Sequence, residues 1–222
     1  MSFWMDIYFM EAGAPAMEQM IMFHDHSMMI IVSVLVFLLC VIINLIKIQV
    51  INLNLIENQY IEIVWTMIPM VLLVFIAAPS LRLLYLMEEI YYPDMTLKVM
   101  GHQWFWSYEF VELDLDFDSY YMYLEENVDS FRLLETDSYL ALPINTIVRF
   151  LVSSVDVIHS WTIQSMGVKM DAIPGRLNQF NVWPLKAGLY FGQCSEICGM
   201  SHSFMPISLE VMTMDDFVWW VD

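Results

Sequence analysis

Two long apolar runs constrain the fold more than any other feature of this sequence. Residues 27–46 contain no charged side chain, and residues 63–87 contain one, Arg82. Each run is long enough to cross a hydrocarbon layer of about 30 Å as a helix. A secretory signal is not indicated, because residues 1–26 carry four acids and neither Lys nor Arg. The sequence therefore predicts two transmembrane helices rather than two core helices of a soluble protein.

Charge divides the chain in the same way. The formal net charge is −18, and residues 88–222 carry 20 acidic and six basic side chains, a charge of −14. An acidic disordered tail is excluded because 15% of the residues are aromatic. Two spans put the leader, residues 1–26, on the same side as residues 88–222, and Lys47 favours the inner side for the short loop, residues 47–62. The acidity thus belongs mainly to an exported domain.

The pattern after the second run is typical of strands and turns. Period-two aromatic residues within residues 99–110 predict one strand with Trp104, Trp106, Tyr108 and Phe110 on a single face. Further β-branched or apolar stretches are expected to be strands, at residues 146–153, 157–164, 188–192 and 206–212. Short strands at this spacing favour a β-sandwich or Greek-key barrel of roughly 120 residues.

Potential metal ligands are concentrated in residues 194–205. Cys194, Cys198, His202 and Met205 lie within this segment, and His159 precedes it on an expected neighbouring strand. Zinc accepts Cys and His but gives no reason for the thioether, whereas His, Cys and a weak Met ligand are typical of cupredoxin copper. A second thiolate can bridge two copper ions, so we expect a dinuclear centre. A Cys194–Cys198 disulfide and a structural zinc site remain alternatives.

Several motifs resemble cytochrome c oxidase subunit II in its animal mitochondrial form. They are residues 61–66 (IEIVWT), 79–85 (PSLRLLY), 101–109 (GHQWFWSYE), 171–179 (DAIPGRLNQ), 192–199 (GQCSEICG) and 202–206 (HSFMP). The resemblance covers nearly the whole chain. It implies a membrane helical hairpin followed by an all-β cupredoxin-like Greek-key barrel. The expected parts are the outer-side leader at 1–26, spans at 27–46 and 63–87, a matrix-side loop at 47–62 and the copper domain at 88–222.

The same resemblance assigns the metal sites. The implied side-chain ligands of the dinuclear copper centre, CuA, are His159, Cys194, Cys198, His202 and Met205. Glu196 would ligate copper through its backbone carbonyl and a magnesium ion through its carboxylate, the magnesium being shared with the catalytic subunit. Trp104 matches the ring at which electrons enter, whereas Trp106 is interpreted as packing.

Activity and location follow from the resemblance as expectations. Electrons would pass from cytochrome c to CuA and then to haem groups of a large catalytic subunit, where dioxygen is reduced to water and protons are pumped. The chain would lie in the mitochondrial inner membrane with its copper domain in the intermembrane space, in contact with lipid and other oxidase subunits, and inactive alone. No nucleic-acid partner is expected. Glu62 matches a residue near a proton-pathway entrance, and the acids expected to dock basic cytochrome c are Glu112, Asp114, Asp116, Asp137 and Asp156.

Two departures and three alternatives accompany this interpretation. Val155 stands where relatives often carry an acid, and residues 122–129 lack the usual Pro, so the docking surface is expected to differ. A nitrous oxide reductase also contains a CuA-type domain but lacks the membrane hairpin. Quinol oxidase subunits share hairpin and barrel without the copper ligands. A membrane-tethered zinc or copper-storage module is the alternative that is not an enzyme.

Overall fold

A computed structural model describes residues 8–48, 56–89, 92–123 and 131–221 of the chain. The chain divides into two compact units, residues 19–86 and residues 1–18 together with 87–222. Parts of three sequence predictions fall outside the described residues: the start of the leader, the middle of the loop at 47–62 and most of the acid-rich segment at 122–129.

Two helices form the first unit. Helix α1 spans Pro15–Lys47 and helix α2 spans Gln59–Glu88, so both apolar runs lie within longer helices. Both helices are long and apolar enough to cross a membrane. The Asn58 side-chain oxygen accepts the backbone N–H groups of Tyr60 and Ile61 at 3.1 and 3.2 Å, and this cap fixes where α2 begins.

A polar contact between described residues joins the two helices. Pro79 lies inside α2 and has no N–H, so the carbonyl of Phe75, four residues earlier, lacks its helical donor. Nε2 of His26 in α1 lies 3.0 Å from that carbonyl oxygen. Because a carbonyl oxygen only accepts, Nε2 carries the proton and donates it. The proline and the histidine therefore form a matched pair across the hairpin.

The described residues of the second unit form ten strands, two 3₁₀ helices and a short helix α3, Met214–Val221. The strands are β1 Met95–His102, β2 Phe105–Phe110, β3 Leu115–Ser119, β4 Leu140–Pro143, β5 Val148–Ser154, β6 His159–Ile163, β7 Val168–Ala172, β8 Asn178–Val182, β9 Gly188–Gln193 and β10 Pro206–Met212. The 3₁₀ helices are η1 Gln164–Met166 and η2 His202–Phe204.

The strands form three sheets around one core. Their orders are β3-β2-β1-β5-β8, β4-β10-β9 and β6-β7. Strand β1 pairs in parallel with β5 and antiparallel with β2, and β10 pairs in parallel with β4 and antiparallel with β9. Side chains from all three sheets meet in one buried cluster that includes Val99, Phe150, Trp161 and Leu209. Burial of these large apolar groups holds the sheets together.

The N-terminal segment, residues 9–17, is part of this β domain. The N–H of Gly13 donates to the carbonyl of Ser165 at 2.8 Å, and the N–H of Leu185 donates to the carbonyl of Gly13 at 2.9 Å. Ala14 is buried in the core cluster. A Cβ at position 13 would lie 2.6 Å from the Tyr190 ring, so the close approach needs glycine. Within the predicted leader, residues 9–17 therefore dock on this domain, and the chain continues from them into α1.

One strand prediction is wrong in a way that bears on the site. Residues 99–110 form two strands joined by a turn, because β1 ends at His102 and β2 begins at Phe105. Trp106, Tyr108 and Phe110 are buried on one face of β2, but Trp104 lies in the turn. The alternation of aromatic residues begins at Trp104, within the turn, so nothing in the sequence indicated that the chain reverses direction there.

Candidate metal centre

The segment 194–205, here called the ligand loop, is closed by two paired strands. Strands β9 and β10 are antiparallel with Gln193 opposite Pro206, so the residues that follow and precede them are brought together. The N–H of Cys194 donates to the carbonyl of Met205 at 3.1 Å. The two ends of the ligand loop are thus fixed to each other by the sheet.

A third strand supplies the distant histidine. The N–H of Ser195 donates to the carbonyl of Ser160 at 3.0 Å, which ties the ligand loop to β6 beside His159. The imidazole of His159 is fully buried, and a Cβ at Gly101 in β1 would lie 2.8 Å from it. Glycine at position 101 therefore makes the space that the ring occupies.

Four donor side chains converge on one point of the domain. Sγ of Cys194 lies 3.9 Å from Nδ1 of His159 and 4.0 Å from Sγ of Cys198, and the latter sulfur lies 3.4 Å from Nδ1 of His202. Two sulfurs 4.0 Å apart are not bonded, since a disulfide needs about 2.05 Å. The described residues thus present two separate thiols flanked by two imidazoles.

Met205 and Glu196 complete the surroundings of the thiols. Met205 is buried and joined to Cys194 through the backbone. The backbone carbonyl oxygen of Glu196 lies 3.4 Å from Sγ of Cys194, while Glu196 itself is exposed. The backbone carbonyl of Glu196 thus faces the thiols. Its exposed carboxylate is available to bind a second cation.

Asp156 holds the imidazole of His159 from the side opposite the thiols. Its Oδ1 lies 2.9 Å from Nε2 of His159, and its Oδ2 accepts the N–H of Gln103 at 2.7 Å. Partial burial raises the pKa of Asp156, but the hydrogen bonds from His159, Val157 and Gln103 outweigh it and lower that pKa below its usual value. The carboxylate is therefore ionised and orients the ring, leaving Nδ1 to face Cys194.

The ionisation of the other groups is interdependent. Burial lowers the pKa of His159, but its contacts with Cys194 and Asp156 raise it above the ordinary histidine value. Burial raises the pKa of the Cys194 thiol, while hydrogen bonds, that of His159 foremost, lower it overall. Burial and the adjacent Cys194 thiolate both raise the pKa of Cys198. Without a cation, one thiol ionises readily and the second does not.

This donor set fits a soft metal cation. A bound cation would stabilise both thiolates, and a thioether beside thiolate and imidazole donors is typical of cupredoxin copper. Three of the donors, on His159, Cys194 and Cys198, have ligand atoms within 4.8 Å of one another and are buried. The residues present therefore fit a copper site.

The turn between β1 and β2 packs against the ligand loop. Nε2 of Gln103 donates to the carbonyl of Cys198 at 2.7 Å, and the ring of Trp104 lies 3.1 Å from where a Cβ of Gly199 would be. Trp106 is fully buried with its ring edge-on to His159 at 5.8 Å between centroids. Trp104 thus sits between the protein surface and the ligand loop, whereas Trp106 has the packing position expected of it.

The structure separates the predicted docking acids. Glu112, Asp114 and Asp116 are exposed along the β2–β3 hairpin, and β3 is an edge strand. Asp137 is exposed and accepts the N–H of Tyr120 just beyond β3. Of the five predicted docking acids, Asp156 is the one that contacts a candidate metal ligand, His159. Its position three residues before His159 is the sequence feature that could have indicated this contact. The contact of Gln103 with the ligand loop was not predicted, because the two residues lie far apart in the sequence and only the fold brings Gln103 to Cys198.

Two other predicted residues lie elsewhere. Glu62 is exposed in the first turn of α2, where its backbone carbonyl accepts the Thr66 hydroxyl. Val155 is 61% exposed beside Asp156, so the expected acid is replaced by an apolar surface group.

Sequence profiles of cytochrome c oxidase subunit II match both units. The profile of its transmembrane domain matches residues 2–83, and that of its periplasmic domain matches residues 95–212. Cytochrome c oxidase subunit 2 of Rhipicephalus sanguineus is 50% identical over 216 residues, covering 97% of this chain and 96% of the relative. That of Ctenocephalides felis is 47% identical over 223 residues, covering 100% and 98%.

A solved structure agrees with these matches. The crystal structure of the periplasmic domain of subunit II of cytochrome oxidase of Bradyrhizobium japonicum is 40% identical, with a TM-score of 0.56, and the match covers 60% of this chain and 94% of that one. The predicted fold class, a membrane helical hairpin followed by an all-β cupredoxin-like barrel, is confirmed.

Proposed function

Because the chain belongs to the cytochrome c oxidase subunit II family, we propose that its β domain accepts electrons from cytochrome c at a dinuclear copper centre, CuA, and passes them to haem groups of the catalytic subunit. The family predicted from the motifs is confirmed, and the chain is a subunit of an oxidoreductase complex. Reduction of dioxygen to water and proton pumping would take place in the catalytic subunit.

The convergence of donors from two thiols and two imidazoles is the observation that carries the proposal. The proposed side-chain ligands are His159, Cys194, Cys198, His202 and Met205, with the backbone carbonyl of Glu196. When bound at these residues, copper would supply the reversible uptake of one electron.

The protein would contribute rigidity and exclusion of water. Three independent ties hold the ligand loop: the β9–β10 pairing, the Ser195–Ser160 hydrogen bond and the Gln103–Cys198 hydrogen bond. Asp156 orients His159, a role that outer groups commonly have at metal sites. Ligands held in this way shift little when the charge changes, which favours rapid electron transfer.

Trp104 is the proposed entry point for electrons. Its ring touches the ligand loop at Gly199 and is partly exposed, which supports a role between a docked donor and the centre. The proposed docking acids, Glu112, Asp114, Asp116, Asp137 and Asp156, would attract a basic partner. Of these, Asp156 has a second task in holding His159. Exposed Val155 would place an apolar contact within the acidic surface.

Further roles follow from the family expectation. The exposed carboxylate of Glu196 would bind magnesium together with the catalytic subunit. Glu62 would lie near a proton-pathway entrance. The chain is a membrane protein with its C-terminal domain on one side, and we place it in the mitochondrial inner membrane with that domain in the intermembrane space, surrounded by lipid and other oxidase subunits.

Metal analysis and electron paramagnetic resonance of the purified chain test the proposal. Two coppers per chain with a mixed-valence signal are expected, and Cys194→Ser should abolish both. Met205→Leu, nearly equal in volume, should keep the fold and shift the reduction potential. One zinc per chain without a resonance signal would support the metal-storage alternative and refute the proposal.

A further inference from the structure

The proposed ligands are buried, which raises the question of how the metal reaches them. Cys194, Cys198, His159 and Met205 are 6%, 4%, 0% and 1% exposed. A cation arriving from water must therefore first meet the surface of the ligand loop. If that surface carries a side chain that can bind the metal ion, the ion can be held by the protein before it reaches the buried ligands.

The exposed surface of the ligand loop carries one thioether. Met200 is 89% exposed, beside Ile197, which is 75% exposed but has no donor atom. Glu196 is also exposed, but carboxylate oxygens suit hard cations. Met200 is thus the soft donor that this surface offers to an approaching metal ion.

His202 connects this surface to the buried thiols. It is half-buried and follows Met200 by two residues, and its Nδ1 lies 3.4 Å from Sγ of Cys198. A cation bound at Met200 could therefore exchange onto an imidazole that already touches a thiol. Each thiol would give up its proton to water as the metal binds.

The exposure of Met200 and the chemistry of its thioether both distinguish it from the methionines that pack in the core. Methionine is usually buried, and a side chain that is 89% exposed gains little from packing. A neutral thioether binds cuprous ion well and hard cations poorly. The remaining exposed methionine after residue 131, Met214, begins α3 at the far end of β10 and lies outside the ligand loop.

We propose that Met200 is a capture site for cuprous ion, from which the metal passes through His202 to Cys198 and Cys194. The inference rests on the proposed copper centre and adds the route by which that centre is loaded. Met200 would not be a ligand of the finished site.

Copper uptake by the full-length, metal-free, reduced chain in detergent tests this route. Buffered cuprous ion is added, samples are desalted at intervals, and bound copper and alkylatable thiols are measured. Met200→Leu keeps the volume but removes the sulfur, and Met214→Leu is the matched control. We expect Met200→Leu to load several-fold more slowly than the unsubstituted chain and the control, and to reach the same final copper content.

A second arm uses zinc ion, which thiolates and imidazoles bind, which a thioether binds poorly, and which, unlike cupric ion, cannot oxidise the two thiols. Here all three proteins should load at equal rates. Equal rates with cuprous ion would overturn the capture role, as would a lower final copper content in Met200→Leu, since Met200 would then belong to the finished site. If the unsubstituted chain binds no copper at all, the proposed function itself fails, so the two failures are distinguishable.

Discussion

At the residue scale, Asp156 shows how one carboxylate can orient a proposed metal ligand. It is ionised, lies 2.9 Å from Nε2 of His159 and is itself held by the N–H of Gln103. The ring can therefore present only Nδ1 to the thiols. A protein that fixes the ring before the metal arrives avoids the entropy of ordering it later.

Replacing this carboxylate should weaken copper binding and change its pH dependence. Asp156→Asn loses the charge that orients His159, and outer contacts of this kind are typically worth about 10–100-fold in metal affinity. Protonated His159 cannot bind metal, so affinity falls as pH drops through its raised pKa. Asp156→Asn lowers that pKa, and the fall should begin at lower pH.

Chelator competition at several pH values measures both effects. Asp116→Asn is the control, because Asp116 is exposed on β3 away from the ligands. An unchanged affinity and pH profile in Asp156→Asn would mean that the contact has no role in binding.

The candidate ligands could be selected from the sequence, because metal coordination demands particular donor types at short spacing. One loop contains Cys194, Cys198, His202 and Met205. Because these residues are close in the sequence, they are also close in space. The positions of Asp156 and Gln103 depend instead on which strands become neighbours. A hydrogen bond between residues 103 and 198 produces no short-range sequence pattern from which it could be predicted.

At the element scale, the docked N-terminal segment behaves as an additional edge of the domain. Gly13 has backbone hydrogen bonds on both sides, and the Tyr190 ring against it is fixed by a hydrogen bond from its hydroxyl to the carbonyl of Lys186 at 2.8 Å. There is consequently no room for a larger residue at position 13.

Gly13→Val should destabilise the β domain. The added side chain would overlap the Tyr190 ring, and overpacking of this kind costs about 1–3 kcal/mol. Thermal unfolding of the full chain in detergent measures the loss. Lys186→Met removes the exposed ion pair with Glu11 in the same segment and should leave the melting temperature nearly unchanged. Equal effects of the two changes would argue against tight docking.

The helical pair allows a sharper test. His26→Leu removes the donor to the Phe75 carbonyl, whereas Pro79→Ala supplies a helical N–H to the same oxygen. The double variant should therefore lose less stability than the sum of the single changes predicts, with a coupling of about 0.6 kcal/mol and at most ~1.7. Pro69→Ala is the control, since it restores a donor to the Trp65 carbonyl instead. Zero coupling with Pro79 would disprove the pairing.

Elements with strong local signals were the ones that could be predicted. Both membrane helices follow from uninterrupted apolar runs, and β10 was expected at residues 206–212, where it occurs. Helix α3 was missed because it has only eight residues, although Thr213 and Asp216 form a capping pair at its start. The docking of residues 9–17 could not be seen, since its partners lie far along the chain.

At the scale of the whole molecule, the distribution of charge is the dominant feature. The acidic side chains are concentrated after residue 88, and several are exposed on the β2–β3 hairpin. Such a surface raises the rate of encounter with a basic protein more than it raises final affinity.

Turnover at low cytochrome c concentration should therefore slow as salt rises, because screening shortens the field to about 10 Å near 0.1 M. The assembled oxidase is assayed over a range of ionic strength. The combined change Glu112→Gln, Asp114→Asn and Asp116→Asn should flatten the dependence, while neutral substitutions at Ser203 should not. Salt-independent capture would contradict the role of charge.

The docking of Gly13 against Ser165 and Leu185 also dictates an order of folding. Gly13 finds its partners only after the chain as far as residue 185 exists, across a loop of roughly 150 residues whose closure entropy grows with the logarithm of its length. Both membrane crossings fall within that loop, so the contact can form only when the two ends have reached the same side. The two hydrogen bonds of Gly13 would therefore form only in a chain whose hairpin has been fully inserted.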